Sequence, residues 1–202
     1  MKNIKRLFSI FLGVLWEWII IPLFFYFVFR NKKIFNNLFP SNYFFQLLVF
    51  FLYFVSGIIL TILSFYFLHR KGEGTITPVM PTRKLVKDGV YFYCRNPMYL
   101  GYSFLYFAFA FLLKNVWFSF ISLGIFLFIH VLAKIFEEKK LYERFAKQYS
   151  EYRKCTPFIL PVKVLNYYEN NFFYFLFAFS FILCLFLLLF NFYILMYIIF
   201  HF

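Results

Sequence analysis

Two acidic side chains stand together at Glu137-Glu138, just past a long apolar run, with Lys139 and Lys140 directly behind them. Neighbours on a helix point about 100° apart, so these two carboxylates address different partners. Glu137, Leu141 and Arg144 follow at spacings of four and three and share a helix face. A carboxylate here suits hydroxyl groups or an ammonium ion. The plainer alternative is a solvated helix end on headgroups, balanced by its lysines. A second cluster reads Arg95-Asn96-Pro97-Met98-Tyr99, with Gly101 one turn on. Asn96 suits a helix N-cap and Pro97 the first helical position. A helix start presents N–H groups that hold an anion or an acceptor oxygen. The alternative is a well-made helix start and nothing more.

These clusters sit between segments long enough to cross a bilayer. A span takes about 20 apolar residues, and Leu7–Phe29, Tyr43–Leu68, Val116–Phe136 and Phe172–Phe200 qualify. A fifth stretch, Met98–Leu113, reaches about 24 Å at 1.5 Å per residue. Only Lys114-Asn115 separates it from the next span, so 98–136 reads as a short, tight helical hairpin. The loop before it holds Gly72, Gly74, Pro78, Pro81 and Gly89 and reads as irregular. The segment after it has no Gly or Pro from Ile135 to Tyr152, which predicts a continuing helix that stops near Thr156-Pro157.

Composition sets the class. Hydrophobic residues make up 64% of the 202 and the mean hydropathy is +0.76. A soluble domain runs nearer half apolar. The reading is an all-α integral membrane protein with about five transmembrane helices. Twenty-one Lys and Arg oppose eight Asp and Glu. They fall in loops, where they face anionic headgroups, so nucleic acid is not the expected partner. Sixteen basic residues, among them Arg70, Lys71, Arg83, Lys87, Arg95, Lys139, Arg144 and Arg153, flank the side shared by the N-terminus and both polar segments. The positive-inside rule puts that side in the cytoplasm and the C-terminus opposite. Cys94, Cys155 and Cys184 form no CxxC pair, and His69, His130 and His201 lie far apart, so no metal site is expected. The N-terminal apolar run is expected to be a retained helix rather than a signal peptide. Within the spans, Glu17 divides evenly between a structural hydrogen bond and a substrate-facing role. Asn191 reads as a helix–helix hydrogen bond.

Taken together, the two clusters carry a resemblance. Leu85-Val86, Gly89-Val90-Tyr91 and Arg95-Asn96-Pro97-Met98-Tyr99-Leu100-Gly101 resemble the first signature of the isoprenylcysteine carboxyl methyltransferase and phospholipid methyltransferase superfamily. Glu137-Glu138, Leu141, Arg144-Phe145, Tyr149, Tyr152 and Pro157…Pro161 resemble the second, and Asn115 the family's hairpin Asn. The resemblance covers roughly 70–161. It implies S-adenosylmethionine as cofactor, entering from water, and a lipid-like or prenylated acceptor, carboxylate or amine, entering from the bilayer. It places Leu85, Val86, Tyr91, Asn96, Pro97, Met98, Tyr99 and Glu137 around the cofactor. It makes Glu138, Arg144 and Arg95 the catalytic and bracing residues, with Glu138 taking a proton if the acceptor is an amine. The implied division is 1–69, N-terminal helices; 70–161, methyltransferase core; and 162–202, C-terminal helix. The chain departs from the pattern at Val90, Asn96 and Ala146, where relatives often carry Pro, His and Gly, and at Ala133, where some carry Arg. Two other readings stay open: an NADPH-dependent membrane reductase and a non-catalytic scaffold on the same fold.

Overall fold

The computed structural model describes residues 20, 23–24, 27–28, 38–73, 82–159 and 171–201. The expected first span, 7–29, and Glu17 within it lie outside these residues apart from the few just named. Among the described residues the fold is all helix, with no strand. Helix α1 runs Tyr43–Gly72, α2 Val90–Tyr93, α3 Pro97–Leu113, α4 Val116–Leu132, α5 Glu138–Cys155 and α6 Asn171–His201. A π-helical segment, Ala133–Glu137, joins α4 to α5 without a break. The predicted continuation past Ile135 is therefore present, and it ends at Cys155, one residue before Thr156.

Local chemistry explains where these helices begin and end. Asn42 caps α1, its Oδ1 accepting from the amides of Phe44 at 2.9 Å and Phe45 at 3.3 Å. His69, Arg70 and Lys71 sit in the last turn of α1, where the helix dipole favours cations. Between α3 and α4, Lys114 takes a left-handed conformation (φ 48°) and the Asn115 amide donates to Ala110 O at 3.2 Å. Those are the elements of a Schellman closure. Asn115 then caps α4 by accepting from the Trp117 amide at 2.9 Å. One dipeptide thus ends one helix, starts the next and makes the predicted hairpin.

The helices pack as membrane helices do. Ser56, Gly57, Leu60, Thr61 and Ser64 form a buried stripe along α1, and small residues in such a stripe let helix backbones approach closely. A Cβ on Gly57 would lie 2.8 Å from Gly101 O, and one on Gly101 would lie 2.5 Å from Thr61 Oγ1. Helix α6 is tied on by polar pairs: Tyr53 Oη donates to Leu183 O at 2.6 Å, and Ser119 Oγ donates to Asn191 Oδ1 at 2.9 Å. Asn191 therefore makes the interhelical bond expected of it. The outward faces carry Phe51, Val55, Ile62, Leu127, Phe128, Leu189 and Phe192, all exposed. Such a surface is stable only against lipid. Tyr43–Gly72, the continuous Val116–Cys155 helix and Ala178–Ile199 are each long and apolar enough to cross a membrane, and Pro97–Leu113 is a shorter apolar helix. The apolar part of the Val116–Cys155 helix ends at Phe136, and the remainder is polar.

Gly57→Ala should lower the melting temperature in detergent, by about 1–3 kcal/mol of stability, because its Cβ meets backbone. Gly124→Ala, whose Cβ meets nothing within 4 Å, should instead raise stability by about 0.5–1 kcal/mol. Equal responses would show that the α1–α3 approach does not need glycine.

Candidate functional site

The polar segments that flank the hairpin meet at one end of the bundle. Asp88-Gly89 makes the turn into α2. Gly89 has φ +60°, and a Cβ there would fall 2.1 Å from the Phe67 ring of α1, so only glycine fits. Asp88 receives Lys71 Nζ at 2.6 Å, pinning the turn to the end of α1. Arg144 of α5 donates to the Thr82 carbonyl and lies 5.0 Å from the Phe145 ring centroid. It fastens the stretch leading to Leu85 and Val86, and Val86 is buried close to Gly72. Tyr152 Oη donates to Tyr91 O at 2.5 Å, holding α2 against α5.

At the centre is an ion pair. Arg95 Nη1 donates to Glu138 Oε1, and both side chains are only 10% exposed. Tyr149 Oη lies 3.3 Å from the same guanidinium nitrogen, and the Phe158 ring lies 5.3 Å from the guanidinium carbon. The Arg95 amide donates to Pro157 O at 3.0 Å. Cys94 joins this seam: its thiol donates to Ile159 O at 3.0 Å, and burial pushes its pKa up to about 12, which makes it a structural donor and not a nucleophile.

Asn96 sits where the helix-start signal puts it, with Pro97 at the first helical position, but its side chain makes no cap. The predicted capping bond is corrected here. Asn96 Nδ2 donates to Phe158 O at 3.0 Å instead. The first turn of α3 is thus left without a side-chain cap. On that turn, Tyr99 Oη donates to Glu137 Oε1. Glu137 and Glu138 therefore do face two partners, one each on the segment from Arg95 to Tyr99. Glu137 is exposed at the surface, yet enough protein surrounds its carboxyl to push its pKa above the usual carboxylate range, with Tyr99 and Lys140 pulling it back.

The remaining residues named by the two signatures lie around this point at different depths. Pro97 and Met98 are buried at the base of α3, and Leu85 is half-buried. Tyr91 is buried in the core, and burial raises its pKa. Arg144 is brought to Thr82 rather than to the Arg95–Glu138 pair. Sequence reading passed over Phe158, whose carbonyl and ring organise the seam, and His130, which is buried beside Tyr99 with ring centroids 6.3 Å apart. A lone polar residue inside an apolar run was the available signal for His130. Phe158 had none beyond its place after Pro157. The π segment, which shifts Glu137 and Glu138 relative to α4, also lacks a composition signal, although such segments recur at functional sites.

Breaking the buried ion pair from one side should cost about 3–5 kcal/mol. Arg95→Met and Glu138→Leu should each destabilise strongly, and the double variant should cost less than their sum in a chemical-unfolding cycle. Ala146 adopts φ 36° and ψ −109° inside α5, a region that disfavours any Cβ. Ala146→Gly should therefore raise stability by about 1 kcal/mol, read as a higher melting temperature.

No curated protein and no solved structure matches the chain at a significant level. The sequence model of the phospholipid methyltransferase family does, over residues 45–148. That stretch is just over half of the chain's 202 residues. It takes in most of α1, the whole hairpin, Arg95, Tyr99 and both glutamates. It reaches further toward the N-terminus than the signature motifs and stops short of Tyr149 and Pro157. The chain belongs to the phospholipid methyltransferase family, within the superfamily of isoprenylcysteine and phospholipid methyltransferases.

Proposed function

We propose that this membrane methyltransferase uses S-adenosylmethionine to methylate a lipid-like acceptor at the cytoplasmic face of the membrane. The observation that carries the reading is the meeting of the two signatures, Tyr99 on Glu137 and Arg95 on Glu138. The residues suit the cofactor. Glu137 is exposed and so reachable from water, and a carboxylate binds ribose hydroxyls or an ammonium group well. The first turn of α3, left uncapped by Asn96, suits the cofactor's carboxylate. Tyr99 offers an aromatic face for a sulfonium cation.

When bound, S-adenosylmethionine supplies an electrophilic methyl group. The chain's own residues then align and desolvate. Glu137 orients the cofactor. Tyr99 fixes the Glu137 carboxylate. Arg95 and Glu138, engaged with each other, brace the α3 start against α5. Arg144 holds the stretch containing Leu85 and Val86 in place. Apolar outer faces on α1 and α4 support entry of an acceptor from the bilayer side. The concentration of basic residues on the side of both polar segments supports a cytoplasmic orientation.

Calorimetric titration of detergent-purified protein with S-adenosylmethionine should show binding that weakens about 10-fold in Glu137→Gln. The raised pKa of Glu137 sets the sign of a pH effect. Its carboxyl takes up a proton sooner than an ordinary carboxylate as pH falls, so affinity should drop at a pH above the usual carboxylate range. The glutamine variant should lack that dependence. Unchanged binding in Glu137→Gln would sink the assignment, and binding of NADPH alone would replace the methyl-transfer reading with a reductase.

A further inference from the structure

Asparagine stands immediately before α1, α3 and α4, and it caps the first and last of these helices but not α3. Asn42 (ψ 110°) accepts from the amides of Phe44 and Phe45, and Asn115 (ψ 112°) accepts from that of Trp117. Both have the extended backbone that a capping residue needs. Asn96, at the start of α3, has ψ 51° and makes no side-chain cap. About 60° of ψ rotation separates it from the other two. Its residue type favours capping as strongly as theirs, so something outside α3 holds it away.

The restraint is the segment that follows α5. Each residue from Thr156 to Ile159 is bonded to the stretch 92–96. Thr156 Oγ1 donates to Phe92 O at 3.4 Å, the Arg95 amide to Pro157 O at 3.0 Å, Asn96 Nδ2 to Phe158 O at 3.0 Å and the Cys94 thiol to Ile159 O at 3.0 Å. The Asn96 amide N–H points to Cys94 Sγ at 3.4 Å. Asn96 is thus fixed at its backbone by Cys94 and at its side chain by Phe158, and both of these belong to one seam. In that position its side chain reaches away from α3 to the strap, and its Oδ1 meets none of the first-turn amides.

We propose that Asn96 is a two-position latch on the cofactor site, set by the 156–159 strap; this rests on the methyl-transfer reading above, which seats the cofactor's carboxylate on the first turn of α3. With the strap docked, Phe158 O takes the Asn96 amide group, and the first turn stays open to an anion. With the strap released, Asn96 rotates to the geometry of Asn42 and Asn115. Its Oδ1 then accepts from the amides that the carboxylate needs. The helix caps itself, and the cofactor must displace that cap to bind. Asn96 is therefore a positioning residue and not a cofactor ligand, and the strap regulates the site without touching its occupant.

The test is calorimetric titration of the full chain in detergent with S-adenosylmethionine, each variant first shown to be folded by circular dichroism. Serine and alanine at position 96 both lose the bond to Phe158 O, but only serine caps a helix. Asn96→Ser should therefore bind the cofactor about 5-fold more weakly than Asn96→Ala. A residue that merely braced the strap would give the two variants the same affinity, and equal affinities overturn the proposal. Phe158→Gly, which loosens the strap, gives a second reading. It should weaken binding about 5-fold where Asn96 is present and by no more than about 2-fold in the Asn96→Ala background. The same loss in both backgrounds also overturns the latch. No binding in the folded parent removes the methyl-transfer reading and the latch with it, whereas a parent that binds with variants that respond alike removes the latch alone.

Discussion

A bilayer interior offers no water to an unpaired polar group, so a chain this apolar must gather its polar chemistry where it can be satisfied. Here that place is the end of the bundle where Arg95 meets Glu138. The pair is largely buried, and burying two charges is stabilising only when their geometry and hydrogen bonds are complete. Tyr149 and the Phe158 ring supply part of that completion. The pair joins the start of α3 to the start of α5, segments separated by the whole hairpin. Tyr99 and Glu137 can meet because that join is made.

The join in turn needs the helices beneath it to lie close. The Gly57–Gly101–Thr61 contact brings α1 and α3 to backbone distance, and the Lys114-Asn115 closure returns α4 along α3. Helix association in lipid depends on such packing and on a few interhelical hydrogen bonds, because lipid tails are as apolar as the side chains. Ser119–Asn191 and Tyr53–Leu183 are bonds of this kind.

Two irregularities of the long Val116–Cys155 helix set direction. The π segment at Ala133–Glu137, which ends on the first of the two glutamates, inserts extra backbone and so turns them relative to α4. The kink at Ala146 lies two residues after Arg144 and three before Tyr149. A glycine at this position in relatives has a simple reason, since the backbone there has positive φ. Alanine tolerates it at a cost that the surrounding contacts must offset.

Much of this was legible in the residues alone. Apolar run length identified the membrane class and four described helices, because hydrocarbon thickness imposes length directly. The hairpin followed from a two-residue gap, and the divergence of Glu137 and Glu138 from the 100° helical step. Asn191 was legible because a polar residue inside a span needs a partner. The partners themselves were not. That Glu138 takes Arg95, that Asn96 reaches Phe158 instead of capping α3 and that Arg144 holds Thr82 are contacts across 43 to 62 residues of chain. Local spacing sets which residues share a helix face, and the sequence alone determined that much. Which faces meet depends on interhelical packing, where small residues and a π segment displace side chains by ångströms, and only the tertiary structure decided it.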